Sequence, residues 1–444
     1  MLGIDFLKQG KRSGLEFINF QNDDFRSALT EAITPHLVNG VLKGTVKDSI
    51  LPVIEKYTGF NNISVEMMQQ PNFAIDVGYF SPANILNIPG IDKYFDVTDT
   101  NLSNWYTKNK GKAFKGSIDY KTGKVYGAYA EVPLKLYLGT MVDVLFQKQK
   151  LERFKVEHPE VTAGCIAHEL GHAFFACAMV DITSNDNFII RGALNALGAQ
   201  PTSEKRVMVI RSVAGLLEAT VDNKDDIETI AESSPEETLI YFNALINRRN
   251  SARALSLGVA TMSSEVLADV YAIRMGFDRG LIAGIAVMSS TRTSSILWGC
   301  GMTALFIGSM FFQLILVAGV TGIICWIAVT APLMLLIYGV SSYSGAYNSP
   351  FRRYEDGIRQ LIAKMKEVPN MSAKDKSEIA ERAAILLRDC EKYRPIISGT
   401  FVDRMIGRII QGADFKAQEF EHFTQAIANN EMAILDVKLN ELTA

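Results

Sequence analysis

The chain has 444 residues, a formal net charge of −3 and a hydrophobic fraction of 48%. That length accommodates two or three domains, and that composition fills at least one sizeable core, which excludes a disordered chain. The near-neutral balance, with no long basic run, leaves no electrostatic footprint for nucleic acid, so nucleic-acid partners are set aside.

Residues 1–12 read MLGIDFLKQGKR, and Asp5 with Lys8 interrupt the stretch in which the apolar centre of a secretory signal would lie. No cleavable signal is expected there, and the N-terminal half is expected to stay in the cytosol. The five cysteines, Cys165, Cys177, Cys300, Cys325 and Cys390, are odd in number and widely spaced. Reduced thiols fit that pattern better than a disulfide framework.

In residues 25–57 the apolar positions Leu29, Ile33, Leu37, Val41, Val46, Ile50 and Ile54 recur at roughly helical spacing, broken by Pro35 and Gly44. Two or three short helices are expected, making an N-terminal helical segment over residues 1–62. Aromatic and β-branched residues punctuated by Gly, Pro and Asn dominate residues 63–138, and residues 117–138, SIDY-KTG-KVYGAYAEVPLKLYL, hold a hairpin signal. This is the expected sheet of a domain spanning residues 63–290. Helices are expected at about 160–180, 203–219, 235–249 (Ser234 as N-cap, Pro235 at the first helical position) and 264–275 (Gly276 as C-cap). The acidic stretch at 222–232 reads as a solvated loop and helix face.

Residues 293–351 contain no charged side chain. The densest part, 296–340, is about twice the ~20 residues that cross a hydrocarbon core, so a helical hairpin over 293–345 is expected, turning near residues 319–322. It is either transmembrane or re-entrant. Arg292 precedes it and Arg352 with Arg353 follow it, which puts both ends on the cytosolic side. Membrane lipid is therefore an expected partner, and a charged helical C-terminal region over residues 351–444 is expected on that same side.

The chemistry is concentrated in the pentapeptide HELGH at 168–172. His168 and His172, four apart on a helix, share one face, where both imidazoles can reach a single Zn²⁺ at about 2 Å. Glu169, to one side of that pair, is the expected general base, and Gly171 would leave space beside the metal. A catalytic zinc needs a third protein ligand and one open position. His36, His158 and His422 come with no matching motif. In SSEVLADVYAIRMG, Glu265 and Asp269 again lie four apart; Glu265 can ligate the metal while Asp269 can orient a ligand imidazole from the second shell. The two carboxylates could in principle exchange those roles.

HELGH followed by Glu265, Ala268, Asp269 and Ala272 resembles the HtpX-like group of gluzincin membrane metallopeptidases. The resemblance covers about residues 160–276, and in that group the Glu of the second motif is the third zinc ligand, which here implies Glu265. Two departures stand out. Membrane spans usually precede the zinc helix or lie between the motifs in that group, whereas here the hairpin follows both. No His lies between His172 and Glu265, so Tyr271 and Arg274 are the alternatives for stabilising a transition state.

The expected architecture is α+β: a zincin-like catalytic domain, mostly helical with a small sheet, plus the hydrophobic hairpin and a helical tail. The expected function is a membrane-anchored zinc endopeptidase acting on protein or peptide substrate, which would add as an extended segment to the sheet edge around residues 124–138. The rival reading is a structural or membrane-remodelling protein, for example of a viral particle or secretion assembly, with a secondary or inactive zincin fold. Sequence sets no oligomeric state.

Overall fold

A computed structural model describes residues 23–141, 151–217, 224–256, 264–285 and 350–398, apart from positions 70–72, 79, 81, 88, 98–99, 153 and 369. The expected hairpin at 293–345, the N-terminal 22 residues and the tail beyond 398 lie outside the described residues.

The N-terminal segment forms helix α1 (Asp23–Ile33) and helix α2 (Val46–Thr58), separated by a short antiparallel pair, β1 (Leu37–Val38) and β2 (Val41–Leu42). Of the positions read at helical spacing, Leu29 and Ile33 on α1 and Val46, Ile50 and Ile54 on α2 form buried stripes, joined on α1 by Phe25, whereas Leu37 and Val41 fall in the two short strands, Val41 exposed. Next come strand β3 (Ile63–Met68), strand β4 (Ala74–Val77), helix α3 (Leu102–Ala113), the hairpin β5 (Gly116–Asp119) and β6 (Lys124–Gly127), and strand β7 (Leu134–Gly139). The SIDY-KTG-KVYG signal is the β5–β6 hairpin, paired from Gly116 with Gly127 to Asp119 with Lys124.

Strand β7 lies in the middle of a three-stranded sheet, parallel to β3 and antiparallel to β4. Leu134, Leu136 and Leu138 alternate into the core, the period-2 pattern of a strand with one buried face, each side chain contributing about 1.5–3 kcal/mol. Both edges of β7 are thus occupied, and β6 is engaged by β5. Of the segment around 124–138 expected to offer a sheet edge, β7 is therefore the interior strand of its sheet, while β6 is paired on one side only among the described residues.

Helix α4 (His158–Ala199) is 42 residues long, with Pro159 in its first turn. It continues well past residue 180, the end expected from sequence. Arg191 does not stop it, because the guanidinium points outward, pairing with Asp92 at 2.8 Å and lying over the Phe95 ring. Beyond it the helix is held by Phe188, stacked on Trp105 of α3 at 5.0 Å. Among the described residues α4 is the one helix long and apolar enough to cross a membrane, and 67% of its most apolar stretch is buried inside the fold. Here it serves as the central core helix.

Helices α5 (Ser203–Leu216), α6 (Lys224–Glu232) and α7 (Pro235–Ser256) follow. Ser234 caps α7: its hydroxyl accepts from the Glu237 backbone N–H, and Glu237 Oε2 accepts from the Ser234 N–H. Helix α8 (Ser264–Ala272) ends in a π-turn at Ile273–Phe277, where Gly276 takes a φ of 94°. Only glycine adopts that value readily. The chain then runs helically through 278–285, packing back on the start of α4, with Arg279 at 3.7 Å from Glu160. The C-terminal helices α9 (Pro350–Glu367) and α10 (Ala373–Ser398) pack on each other, and α9 packs on α8. One continuous core runs from Phe25 to Leu386, so the segments on either side of residues 62 and 351 are packed into it together. The described residues are mostly helical with small sheets, a mixed α+β arrangement.

Candidate metal centre

The site is built where α4 meets α8. The helices run locally parallel and touch at three successive pairs, each three residues further along both chains. His168 Nε2 lies 3.3 Å from Glu265 Oε2. A Cβ on Gly171 would come within 2.8 Å of the Ala268 Cα and 2.9 Å of its carbonyl oxygen. The rings of Phe174 and Tyr271 are 4.9 Å apart. Gly171 therefore acts differently from the expectation that it leaves space beside the metal: the missing side chain lets the α8 backbone close onto α4, which brings Glu265 to the histidines.

His172 Nε2 lies 3.6 Å from Glu265 Oε1, and the two imidazole rings stand nearly perpendicular with centroids 4.8 Å apart. One ligand atom from each of His168, His172 and Glu265 falls within 4.8 Å of the others, a group that could hold a metal ion. The spacing itself tests the fit. Ligands about 2.0–2.1 Å from a tetrahedral metal are about 3.3 Å from each other; here His168 and His172 approach different oxygens of Glu265, at 3.3 and 3.6 Å, and a set with one atom from each residue spans up to 4.8 Å, so a small inward shift would close the three side chains on an ion. Asp269 is fully buried, and its Oδ1 is 2.8 Å from His168 Nδ1. Glu265 thus lies beside both histidines, and Asp269 beside the other ring nitrogen of His168. Glu169 is half-buried on α4, between the two histidines in sequence.

The two residues considered for transition-state stabilisation have other engagements. Tyr271 is buried, with its hydroxyl donating to the Gly123 carbonyl at 3.3 Å; burial, and secondarily the Cys177 thiol, hold its pKa far above the ordinary phenol range. Arg274 is buried and its Nε donates to Gln360 Oε1 at 2.9 Å. His36 bonds the hydroxyls of Thr45 and Ser49, away from the cluster. Cys165 and Cys177 are buried and not disulfide-bonded.

Sequence reading missed a second polar group further along α4. Asp181, buried, accepts from the Tyr120 hydroxyl at 2.8 Å and from the Tyr129 hydroxyl at 3.4 Å. Burial, and then the Asp181 charge, push both phenols upward in pKa. Tyr106 on α3 donates to Asn185 at 3.0 Å. The one available signal was a carboxylate within an otherwise apolar helical stretch, and it carried no indication of its partners.

No protein-family model, no curated protein and no solved structure matches this chain.

Proposed function

We propose that the protein is a zinc-dependent endopeptidase with a zincin-like catalytic domain, attached to a membrane and facing the cytosol. The observation that carries the reading is the convergence of His168, His172 and Glu265 at ligand spacing, with Glu169 on the same helix turn. Two imidazole nitrogens and one carboxylate suit zinc, whereas magnesium and calcium prefer all-oxygen sets. Three protein ligands leave a fourth position open, the pattern of a catalytic rather than a structural zinc site. A Zn²⁺ held there supplies Lewis acidity to a water and to a peptide carbonyl. Glu169 accepts the proton of the attacking water and delivers it to the leaving amine. Asp269 holds the His168 proton on Nδ1 and so leaves Nε2 for the metal.

Strand β4 is a better-placed edge for an extended substrate than the segment chosen from sequence. It pairs on one side with β7 and packs against α4, the helix that carries the histidines.

Membrane attachment rests on the uncharged run at 293–351, which lies outside the described residues. Asp278 contacts Lys364 and Arg382 on the far side of that run, which supports a single compartment for both ends and an even number of crossings between them. A hairpin satisfies that condition, and the flanking Arg292, Arg352 and Arg353 favour the cytosol.

The test is zinc content and cleavage of an unfolded protein by the full-length chain in detergent, with and without chelator. About one zinc per chain and chelator-sensitive cleavage are expected. A metal-free, inert protein overturns the reading and leaves the structural or membrane-remodelling alternative.

A further inference from the structure

The β5–β6 turn touches both helices that carry the metal ligands. On one side Tyr120, at the start of the turn, donates to Asp181 of α4 at 2.8 Å, and its ring meets Phe174 edge-on at 6.4 Å. On the other side the Gly123 carbonyl, at the end of the turn, accepts from Tyr271 of α8 at 3.3 Å. Phe174 and Tyr271 are themselves the third contact pair of the α4–α8 seam, 4.9 Å apart. The turn therefore closes a ring of contacts that runs Asp181, Tyr120, Phe174, Tyr271, Gly123.

We propose that Tyr120 and Asp181 are positioning residues for the metal centre, fixing the angle between α4 and α8 through the Phe174–Tyr271 pair. This rests on the metal-site reading above. Contact between Gly171 and Ala268 sets how closely the helices approach but leaves them free to pivot about that point. Glu265 is three residues from that pivot at Ala268, about 4.5 Å along a helix. A tilt of about 10° would move Glu265 by about 0.8 Å, more than the ~0.5 Å within which a ligand set must be held. Apolar contacts alone would close this part of the core equally well, whereas directional bonds to a buried carboxylate select a single arrangement. Tyr129, the second donor to Asp181, fixes the carboxylate itself.

Cobalt titration of the full-length protein in competition with a chelator, read by the visible absorption of bound Co²⁺, tests this. Tyr120→Phe removes a hydroxyl and keeps the ring. Tyr106→Phe is the control: it deletes a comparable bond, to Asn185 of the same helix, without touching the turn. Expected is about a 10-fold weaker Co²⁺ affinity and a shifted absorption envelope for Tyr120→Phe, with wild-type values for Tyr106→Phe. Asp181→Asn should weaken Co²⁺ binding in the same direction, and it supplies the comparison should Tyr120→Phe fail to fold. Folded variants with wild-type affinity and spectrum overturn the inference, as does an equal loss in the Tyr120 and Tyr106 variants. Wild-type protein that binds no Co²⁺ overturns the metal-site reading itself, an outcome distinct from wild-type binding that is indifferent to Tyr120.

Discussion

Oδ1 of Asp269 lies 2.8 Å from Nδ1 of His168, on the side of the ring opposite the nitrogen that faces Glu265. A buried carboxylate that accepts the Nδ1 proton of a ligand imidazole fixes both its orientation and its tautomer, and loss of such a partner lowers metal affinity by about 10 to 100-fold. Asp269→Ala should therefore bind zinc weakly but measurably, while Glu265→Ala, deprived of a direct ligand, should be nearly metal-free. Competition titration with a chromophoric chelator separates the two. A Glu265→Ala protein with full zinc occupancy would show that the roles are assigned wrongly.

Glu169 shares the helix turn of the two histidines yet stands outside the ligand group. Replacing it by Gln keeps the volume and removes the base. Zinc content should stay near wild type while turnover falls by at least about 10² to 10⁴-fold. Parallel metal analysis and peptide-cleavage assays give the answer, and normal cleavage by Glu169→Gln would exclude the mechanism.

The pairings within each helix were legible in sequence because helical period converts spacing directly into a shared face, 168 with 172 and 265 with 269, whereas the approach of Glu265 to the two histidines was suggested by the resemblance of the two motifs to a known family. The Ser234 cap, the β5–β6 hairpin and the buried stripes of α1 and α2 were legible for the same reason, each being set by residues a few positions apart. Long-range contacts were not. Nothing local reveals that Gly171 faces Ala268, that Arg191 can stay solvated while α4 continues beneath it, or that β7 gains partners on both edges. The Asp181 group needs Tyr120 and Tyr129 to arrive from some fifty to sixty positions away, so its members look like ordinary core residues when read singly.

Gly171→Ala sets two effects against each other. Helix propensity favours Ala by about 1 kcal/mol. The added Cβ, however, would meet the Ala268 backbone at 2.8 Å, and backbone cannot rotate away as a side chain can. Overpacking of this kind destabilises by about 1–3 kcal/mol, so the net effect should be a loss of stability together with a weakened metal centre, since α8 carries Glu265. Thermal melts and zinc titration of the variant check both. Unchanged zinc affinity would mean that the α4–α8 approach does not govern the site.

Both ends of the uncharged run should face one compartment. In sealed vesicles, a protease site placed after Arg353 and another beside α8 should be protected or cleaved together. Opposite protection of the two sites would rule out the hairpin, and a full-length protein that remains soluble without detergent would rule out insertion altogether.

Asp278 gives a stability prediction with a defined sign. It is fully buried just after the Gly276 turn, with Lys364 Nζ of α9 at 3.0 Å and Arg382 Nη1 of α10 at 2.9 Å. Burial by itself would raise its pKa, but Lys364, Arg382 and, to a smaller extent, Arg26 outweigh that, and the net direction is down. A carboxyl whose folded pKa lies below its unfolded value of about 3.9 adds stability above that pH and loses it as pH falls through the folded value. Docking of α9 and α10 should thus be intact at neutral pH and weaken below about pH 4. Asp278→Asn leaves two buried cations without their counter-charge, which should destabilise by about 3–5 kcal/mol at neutral pH. The variant should also lose part of the wild-type pH dependence in the acid range, because the titrating group is gone. Denaturant melts of both proteins between pH 3 and pH 7 (about the range that brackets the unfolded Asp pKa) measure the two slopes. Parallel slopes, or an Asp278→Asn protein as stable as wild type at neutral pH, would show that the ion cluster does not hold the C-terminal helices in place.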